Sequence, residues 1–412
     1  MTLFCFFQDP LRYTQVNRLY LVGKARITKK DGTGLGPKPT TEIPEFNLVD
    51  GWSNAFIKSI TLTVNHKVIS ESTGSSYYYR CLLSRILNFG EEGNQTQMRS
   101  LGHTEPVRWV DKKWGDTAGL IDEKNYHKAN MLPYLKEESL RFYDNQYVEF
   151  NTLLMVPEFM TDREWPPNLE IEISIARQPD EFFFIQDDGD LKFQMHLEDL
   201  ALEVHKIQPS PSLLASNHKL MASAPALFPY TGYQVAEFKI PKDTKYIATP
   251  ELFLGRVPAK TIYLLIPLAQ YQGSAQKNPS ILSPCGIKTF RQRLNGMISP
   301  LEFEFQWDKQ KNYTISYRRI LDAVAPLLTG QGCALTYEEF AKCRFAILAN
   351  NVPQSLQSND NFREKPQLGN VYCELFFEKD TKEDLLLLCL GLTDESYRIN
   401  LDGDVIHDPP VY

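Results

Sequence analysis

In one segment after another of this chain, apolar residues fall at every second position. That period leaves little besides β-strands, whose side chains point alternately to opposite faces. Leu169, Ile171, Ile173 and Ile175 alternate with Glu170, Glu172 and Ser174. Leu301, Phe303, Phe305 and Trp307 alternate with Glu302, Glu304 and Gln306, and Val371, Cys373, Leu375 and Phe377 form a further set. Leu191, Phe193, Met195 and Leu197 alternate with Lys192, Gln194 and His196. The phase slips at Glu198-Asp199 and resumes with Leu200, Leu202 and Val204, as a bulge or a change of strand requires. Ile60, Leu62 and Val64 run into Asn65-His66, a tight turn before Lys67-Val68.

Helical signals are few. Tyr78–Leu87 reads as a helix ending before Gly90, Ser210–Met221 as a second, and Ile315–Leu328 as a third with Gly330 past its end. Thr336-Tyr-Glu-Glu339 has capping-box spacing before a short helix. Composition agrees with a β-rich chain: 24 Phe and 20 Tyr favour strands, and 26 Pro imply many loops. With 42% hydrophobic and 23% charged residues in a chain of 412, wholesale disorder is excluded and there is ample length for full cores.

A Pro- and Ala-rich stretch interrupts the strand pattern near residues 209–228, with alternation on both sides of it. The chain therefore divides near residue 210 into two β-rich halves, 1–208 and 209–412. Each is expected to form an antiparallel sandwich rather than a meander of hairpins. Residues 100–145 are charged and loop-rich and read as an excursion from the first sandwich.

The charge pattern limits function. The net charge is −7; residues 151–200 hold 12 acidic and 3 basic side chains, and nothing resembles a basic stripe. Direct nucleic-acid binding is not expected. No run approaches the ~18 apolar residues of a membrane span, and the N-terminus lacks the charged region and cleavage site of a signal peptide. Seven widely spaced cysteines without CxxC argue against a disulfide framework or thiolate zinc site and suit a reducing compartment. Asn94-Gln-Thr96 and Asn312-Tyr-Thr314 match a glycosylation pattern and, without a secretion signal, read as chance.

No catalytic, cofactor-binding or metal-ligating residue is expected. The seven histidines show neither HxH nor HExxH spacing, and His196 and His205 sit on the polar phase of a strand. Gln186-Asp187-Asp188-Gly189-Asp190 lacks the full calcium-loop pattern and reads as a solvated turn. Asp402-Gly403-Asp404 reads as a hairpin turn. Glu302 and Glu304 share a strand face, as a glycosidase pair could, but fit better as the polar side of a strand whose other side is Phe303 and Phe305. Tyr77-Tyr78-Tyr79-Arg80 lacks the basic surroundings of a base-stacking platform and reads as the start of a core-packed helix. GxSxG, GxxxxGK[ST] and strand-linked GxGxxG motifs are absent.

Several ordered segments resemble the major capsid protein of polinton-like (Maverick) elements and adintoviruses. They are Asp50-Gly-Trp52-Ser-Asn54-Ala-Phe56, Ile60 to Lys67, Tyr77 to Arg80 and Leu83 to Gly90. In the second half they are Pro209-Ser-Pro211-Ser, Ala226-Leu-Phe-Pro229-Tyr, Leu252-Phe-Leu-Gly255-Arg-Val-Pro258, Gln272-Gly273-Ser, Lys277-Asn278-Pro279, Asn370 to Phe377 and Tyr397 to Asp402. Together they span most of residues 15–410. This chain departs from the pattern at Asn65-His66, where the family has Asn-Gly, and at Ser280, where it has an aromatic. It also begins later than the family, so its first sandwich is expected to be completed differently.

The resemblance implies an all-β double jelly roll: two eight-stranded sandwiches in tandem, three chains forming a pseudo-hexagonal homotrimeric capsomer, and capsomers tiling an icosahedral shell. Residues 100–145 and 268–300 are then expected to supply the capsomer top and trimer contacts. The expected partners are other copies of the chain and a penton or minor capsid protein. The expected location is the virion, assembled in the host cytoplasm or nucleus. The competing readings are a vertex or other minor virion protein, which would carry one jelly roll plus an added domain, and a carbohydrate-active β-sandwich protein, which would show paired carboxylates in a groove or bound calcium.

Overall fold

A computed structural model describes residues 2–7, 10–39, 44–71, 76–101, 103, 138–186, 190–253, 255–307, 312–324, 333, 335–351 and 368–407. Among these residues, nine strands lie in the first half: β1 (Thr2–Phe7), β2 (Tyr13–Lys29), β3 (Asn47–Leu48), β4 (Ile57–Val64), β5 (Lys67–Glu71), β6 (Val148–Leu153), β7 (Glu170–Arg177), β8 (Phe184–Ile185) and β9 (Phe193–Ile207). Nine more follow: β10 (Ala226–Ile240), β11 (Tyr246–Ala248), β12 (Lys260–Pro267), β13 (Ile287–Leu294), β14 (Met297–Glu304), β15 (Ile347–Asn350), β16 (Val371–Phe377), β17 (Leu385–Ile399) and β18 (Val405–His407).

The second half has two four-stranded antiparallel sheets, β10-β17-β12-β15 and β11-β16-β13-β14, with β18 added beside β17. The first half has β1-β7-β4-β5, β6-β2-β9 and the short pair β3-β8. Among the described residues the first half thus holds nine strands in three antiparallel sheets, where an eight-stranded sandwich is expected. The two halves still share one plan: the long first strand pairs with the long last strand, β2 with β9 and β10 with β17. The edge place held in the second sandwich by β11, which follows its long strand, is held in the first by β1, which precedes its long strand. The N-terminal apolar run thereby completes the sheet, with Phe4 packed against the core.

Period two and burial agree strand by strand. In β7 the isoleucines are buried while Glu170 and Glu172 lie outside the core, and β16 buries Val371, Cys373, Leu375 and Phe377. The slip at Glu198-Asp199 is a bulge: Lys24 pairs with Glu198 and Val22 with Ala201, leaving Asp199 and Leu200 opposite Gly23. Asp199 has a φ of 52°. A Cβ at Gly23 would stand 2.8 Å from Leu200 Cδ2 and 3.1 Å from the Glu198 carbonyl, so a larger residue there would push the Leu200 side chain aside.

The helices are found at Ser76–Asn88, Pro211–Ser223, Thr314–Val324 and Tyr337–Lys342. Thr336 and Glu339 form the reciprocal capping box. Of the expected excursion at 100–145, residues 104–137 lie outside the described residues. So do Asp187, Asp188 and Gly189 of the acidic turn. Residues 268–300 are only partly loop: after the helix Leu268–Gln272, β13 and β14 pair as a hairpin at a sheet edge.

The turn between β4 and β5 is a two-residue loop with φ of 47° at Asn65 and 63° at His66. An L-residue pays roughly 1 kcal/mol or more in this left-handed region that glycine avoids. The His66 side chain is 82% exposed and its ring lies 3.4 Å from the Glu170 carboxylate, a contact of little worth. His66→Gly is therefore expected to raise stability by about 0.5–1 kcal/mol in urea denaturation; a loss of stability would show that the ring contributes more than the backbone costs.

Candidate functional site

The residues that sequence patterning could not pair with one another meet in two places: a polar knot inside the first sandwich and the junction between the sandwiches.

The knot is built on Asp50-Gly-Trp52-Ser-Asn54, where the chain turns from β3 into the short helix Trp52–Ala55 and then β4. Gly51 has a φ of 64°, and a Cβ there would lie 2.5 Å from the His103 ring. Only glycine allows that approach. The buried Asp50 carboxylate accepts a hydrogen bond from the buried Arg85 guanidinium on the helix Ser76–Asn88. His103 Nδ1 lies 3.7 Å from the same carboxylate. Its Nε2 lies 3.4 Å from Asn54 Nδ2, and Asn54 Oδ1 accepts a 2.7 Å bond from Thr152. Tyr78 donates to the Asp50 carbonyl at 2.8 Å. Burial pushes the Asp50 carboxyl up, but Arg85 and His103 outweigh it and hold it well below the carboxylate range. Burial, with Arg85 adding to it, lowers His103 despite the neighbouring carboxylate.

Aspartate beside histidine invites a catalytic reading, but Asp50, Arg85 and His103 are all buried, and neither cavity described for the chain is lined by them. The knot fixes a helix to a strand turn. Its pH dependence has a definite sign. A histidine held neutral in the fold takes up a proton only on unfolding, so stability falls as pH drops below the ordinary histidine value of 6.5. Asp50 adds a further loss below its ordinary 3.8. Glu158 and Asp180, which burial pushes up, act in the opposite sense above 4.5 and 3.8. Between pH 6.5 and 5, the His103 contribution is expected to fall with a limiting slope of about 1.4 kcal/mol per pH unit, partly offset by Glu158, and His103→Gln should remove the His103 share of the slope. An identical slope in the variant would assign it elsewhere.

The junction joins distant residues. Trp165 Nε1 donates to Tyr397 OH at 2.7 Å, and Tyr397 OH donates to the Glu158 carbonyl at 3.0 Å. Tyr397 stacks on Phe228 at 5.2 Å. Tyr79 of the first half stacks on Tyr271 of the second at 5.8 Å. The β4–β5 turn docks on the β17–β18 turn: Asn65 Nδ2 donates to the Gly403 carbonyl at 2.8 Å and Lys67 Nζ to the Val405 carbonyl at 2.6 Å. One continuous hydrophobic cluster runs through both halves.

The residues weighed from sequence do not converge. His196 bonds to Thr28 Oγ1 at 2.9 Å and His205 pairs with Glu203 at 3.2 Å, both along β9. Glu302 pairs with Arg291 at 2.7 Å, while Glu304 is exposed. Asp402-Gly403-Asp404 turns between β17 and β18, with Gly403 at a φ of 85°. Tyr77, Tyr78 and Tyr79 are buried at the start of the helix, as expected of a core-packed helix start. Cys81, Cys285, Cys333, Cys343, Cys373 and Cys389 are free, and burial pushes the Cys81 thiol up to about 12. Among the described residues, no cluster of three His, Cys, Asp or Glu side chains could hold a metal, and no helix is long and apolar enough to cross a membrane.

No protein-family profile matches the sequence, and no curated protein matches it. Solved structures do. The chain is similar to one from the cryo-EM structure of the Sputnik virophage, with a TM-score of 0.62 at 9% identity, covering 100% of this chain and 86% of that one. It is similar to the mavirus major capsid protein, with a TM-score of 0.54 at 11% identity, covering 100% and 88%. The Faustovirus major capsid protein matches with a TM-score of 0.51 at 9% identity, covering 96% and 87%. At such identities the likeness defines the fold: this is an all-β double jelly roll.

Proposed function

We propose that the chain is the major capsid subunit of an icosahedral virus or virus-like element, of the polinton-like and adintovirus kind that its sequence segments resemble. The observation that carries this reading is the end-to-end match of both sandwiches, 100% of the chain, to the mavirus major capsid protein. A vertex protein with one jelly roll and an added domain would match over one half only.

The mechanism is mechanical. Two sandwiches locked by one core form a rigid block, and three such blocks around a threefold axis present six similar sandwiches, a unit with a near-hexagonal outline that tiles a shell. The helix Pro211–Ser223 between the sandwiches buries none of its side chains, and it exposes Leu213 and Leu220 at 51% and 65%. A neighbouring copy would cover such a surface. With net charge −7 and no basic stripe, contact with the genome falls to a separate basic protein. A penton or minor capsid protein closes the vertices, the site of action is the virion assembled inside the host cell, and no catalysis or cofactor is involved. Negative-stain microscopy of the purified protein tests the reading: trimers with a near-hexagonal outline, or shells, are expected, and dispersed monomers in assembly-permissive salt would reject it.

A further inference from the structure

A cavity of about 510 Å³ opens between the sandwiches, with the helix Ser76–Asn88 and the segment at Pro157-Glu158 on one side and β10 and β17 on the other. Its polar groups do not balance. Glu158 is 6% exposed, and its Oε2 has no hydrogen-bond partner. Facing it from the other half is Glu395, held by Tyr230 OH at 2.9 Å and Thr393 Oγ1 at 2.6 Å. Room for the Glu395 carboxylate exists because position 232 is glycine: a Cβ there would lie 2.5 Å from the carboxyl carbon.

Arg80 and the exposed His407 also line the cavity, and Arg80 attracts the Glu158 carboxylate without closing an ion pair on it. The Arg80 guanidinium lies over the rings of Tyr233 and Tyr77, at 5.4 and 5.8 Å, and its Nε and Nη2 have no hydrogen-bond partner. Among the described residues no ion pair joins it to either glutamate. Two carboxylates in a half-enclosed space, one of them almost fully buried with an open oxygen, are an arrangement that a second cation relieves. Tyr230, in the cavity wall, offers a ring surface of the kind that favours organic cations.

We propose that this inter-sandwich cavity binds a primary ammonium group, either of a free aliphatic amine or of a lysine side chain from another chain, between Glu158 and Glu395. Because the two carboxylates belong to different halves, the bound ammonium ties the sandwiches together. Ligand concentration then raises the unfolding temperature of the whole chain. The site does not depend on the capsid reading and stands or falls separately from it.

Calorimetric titration of the full chain with 1,4-diaminobutane and with Nα-acetyl-lysine amide tests the proposal. Saturable binding of at least one probe is expected, weakened about tenfold or more in both Glu158→Gln and Glu395→Gln, because each removes a charged acceptor. Diaminobutane alone binding assigns a free amine; acetyl-lysine amide alone binding assigns a side chain of another chain. Glu395 is partly exposed and hydrogen-bonded at the cavity wall, so its amide variant keeps the test open even where the buried Glu158→Gln chain fails to fold. Absence of saturable binding up to about 10 mM, unchanged affinity in Glu395→Gln, or displacement of the amine by equimolar magnesium would overturn the assignment.

Discussion

Asp50→Ala is expected to cost about 3–5 kcal/mol of stability, because it strands the Arg85 guanidinium inside the first sandwich. Arg85 is 2% exposed, and Asp50 is its ion-pair partner. The cost comes from the abandoned charge rather than from the strength of the pair, so it has a diagnostic signature. In the double variant Asp50→Ala/Arg85→Met no guanidinium remains to be stranded, and its cost should be well below the sum of the two single losses. Urea denaturation of the four chains measures this. Strict additivity would show that the two groups do not sense each other and that the knot is drawn wrongly.

Trp165→Ala is the second large effect, about 3–5 kcal/mol for an emptied aromatic site. Trp165 is fully buried, packs edge-on to Phe159 at 5.8 Å, and holds the Tyr397 hydroxyl of the other sandwich. Removing the indole therefore opens a cavity in the first half and takes a hydrogen bond from the second. With one hydrophobic cluster across both, the halves should unfold together. Scanning calorimetry of wild type and variant should each give a single transition, lower in the variant. Two resolved transitions, with only one shifted, would mean that the sandwiches are independent domains.

Much of this architecture was legible in the sequence, and the illegible parts share a cause. Alternation exposed β4, β7, β9, β14 and β16, the break in phase exposed the bulge at Asp199, and Thr336 with Glu339 exposed a helix start. All are signals within one segment. β13 carries no such period, because Gln292 occupies one of its inward positions. Gln292 is buried there by accepting bonds from Thr261 Oγ1 at 2.7 Å and Tyr263 OH at 2.6 Å. A polar residue satisfied by distant partners erases the apolar period. His103 was one histidine in a charged stretch until folding set it against Asp50. The junction pair Trp165 and Tyr397 lies 232 positions apart, and the cavity glutamates belong to different halves. Periodicity reports which face of a strand is buried, not what lies across from it.

Mass photometry of the purified chain at low concentration tests the central claim most directly. A subunit of this kind should appear as a species of about three times 47.4 kDa, with larger assemblies emerging as salt is brought to assembly-permissive conditions. A species that stays at 47.4 kDa throughout would contradict the account.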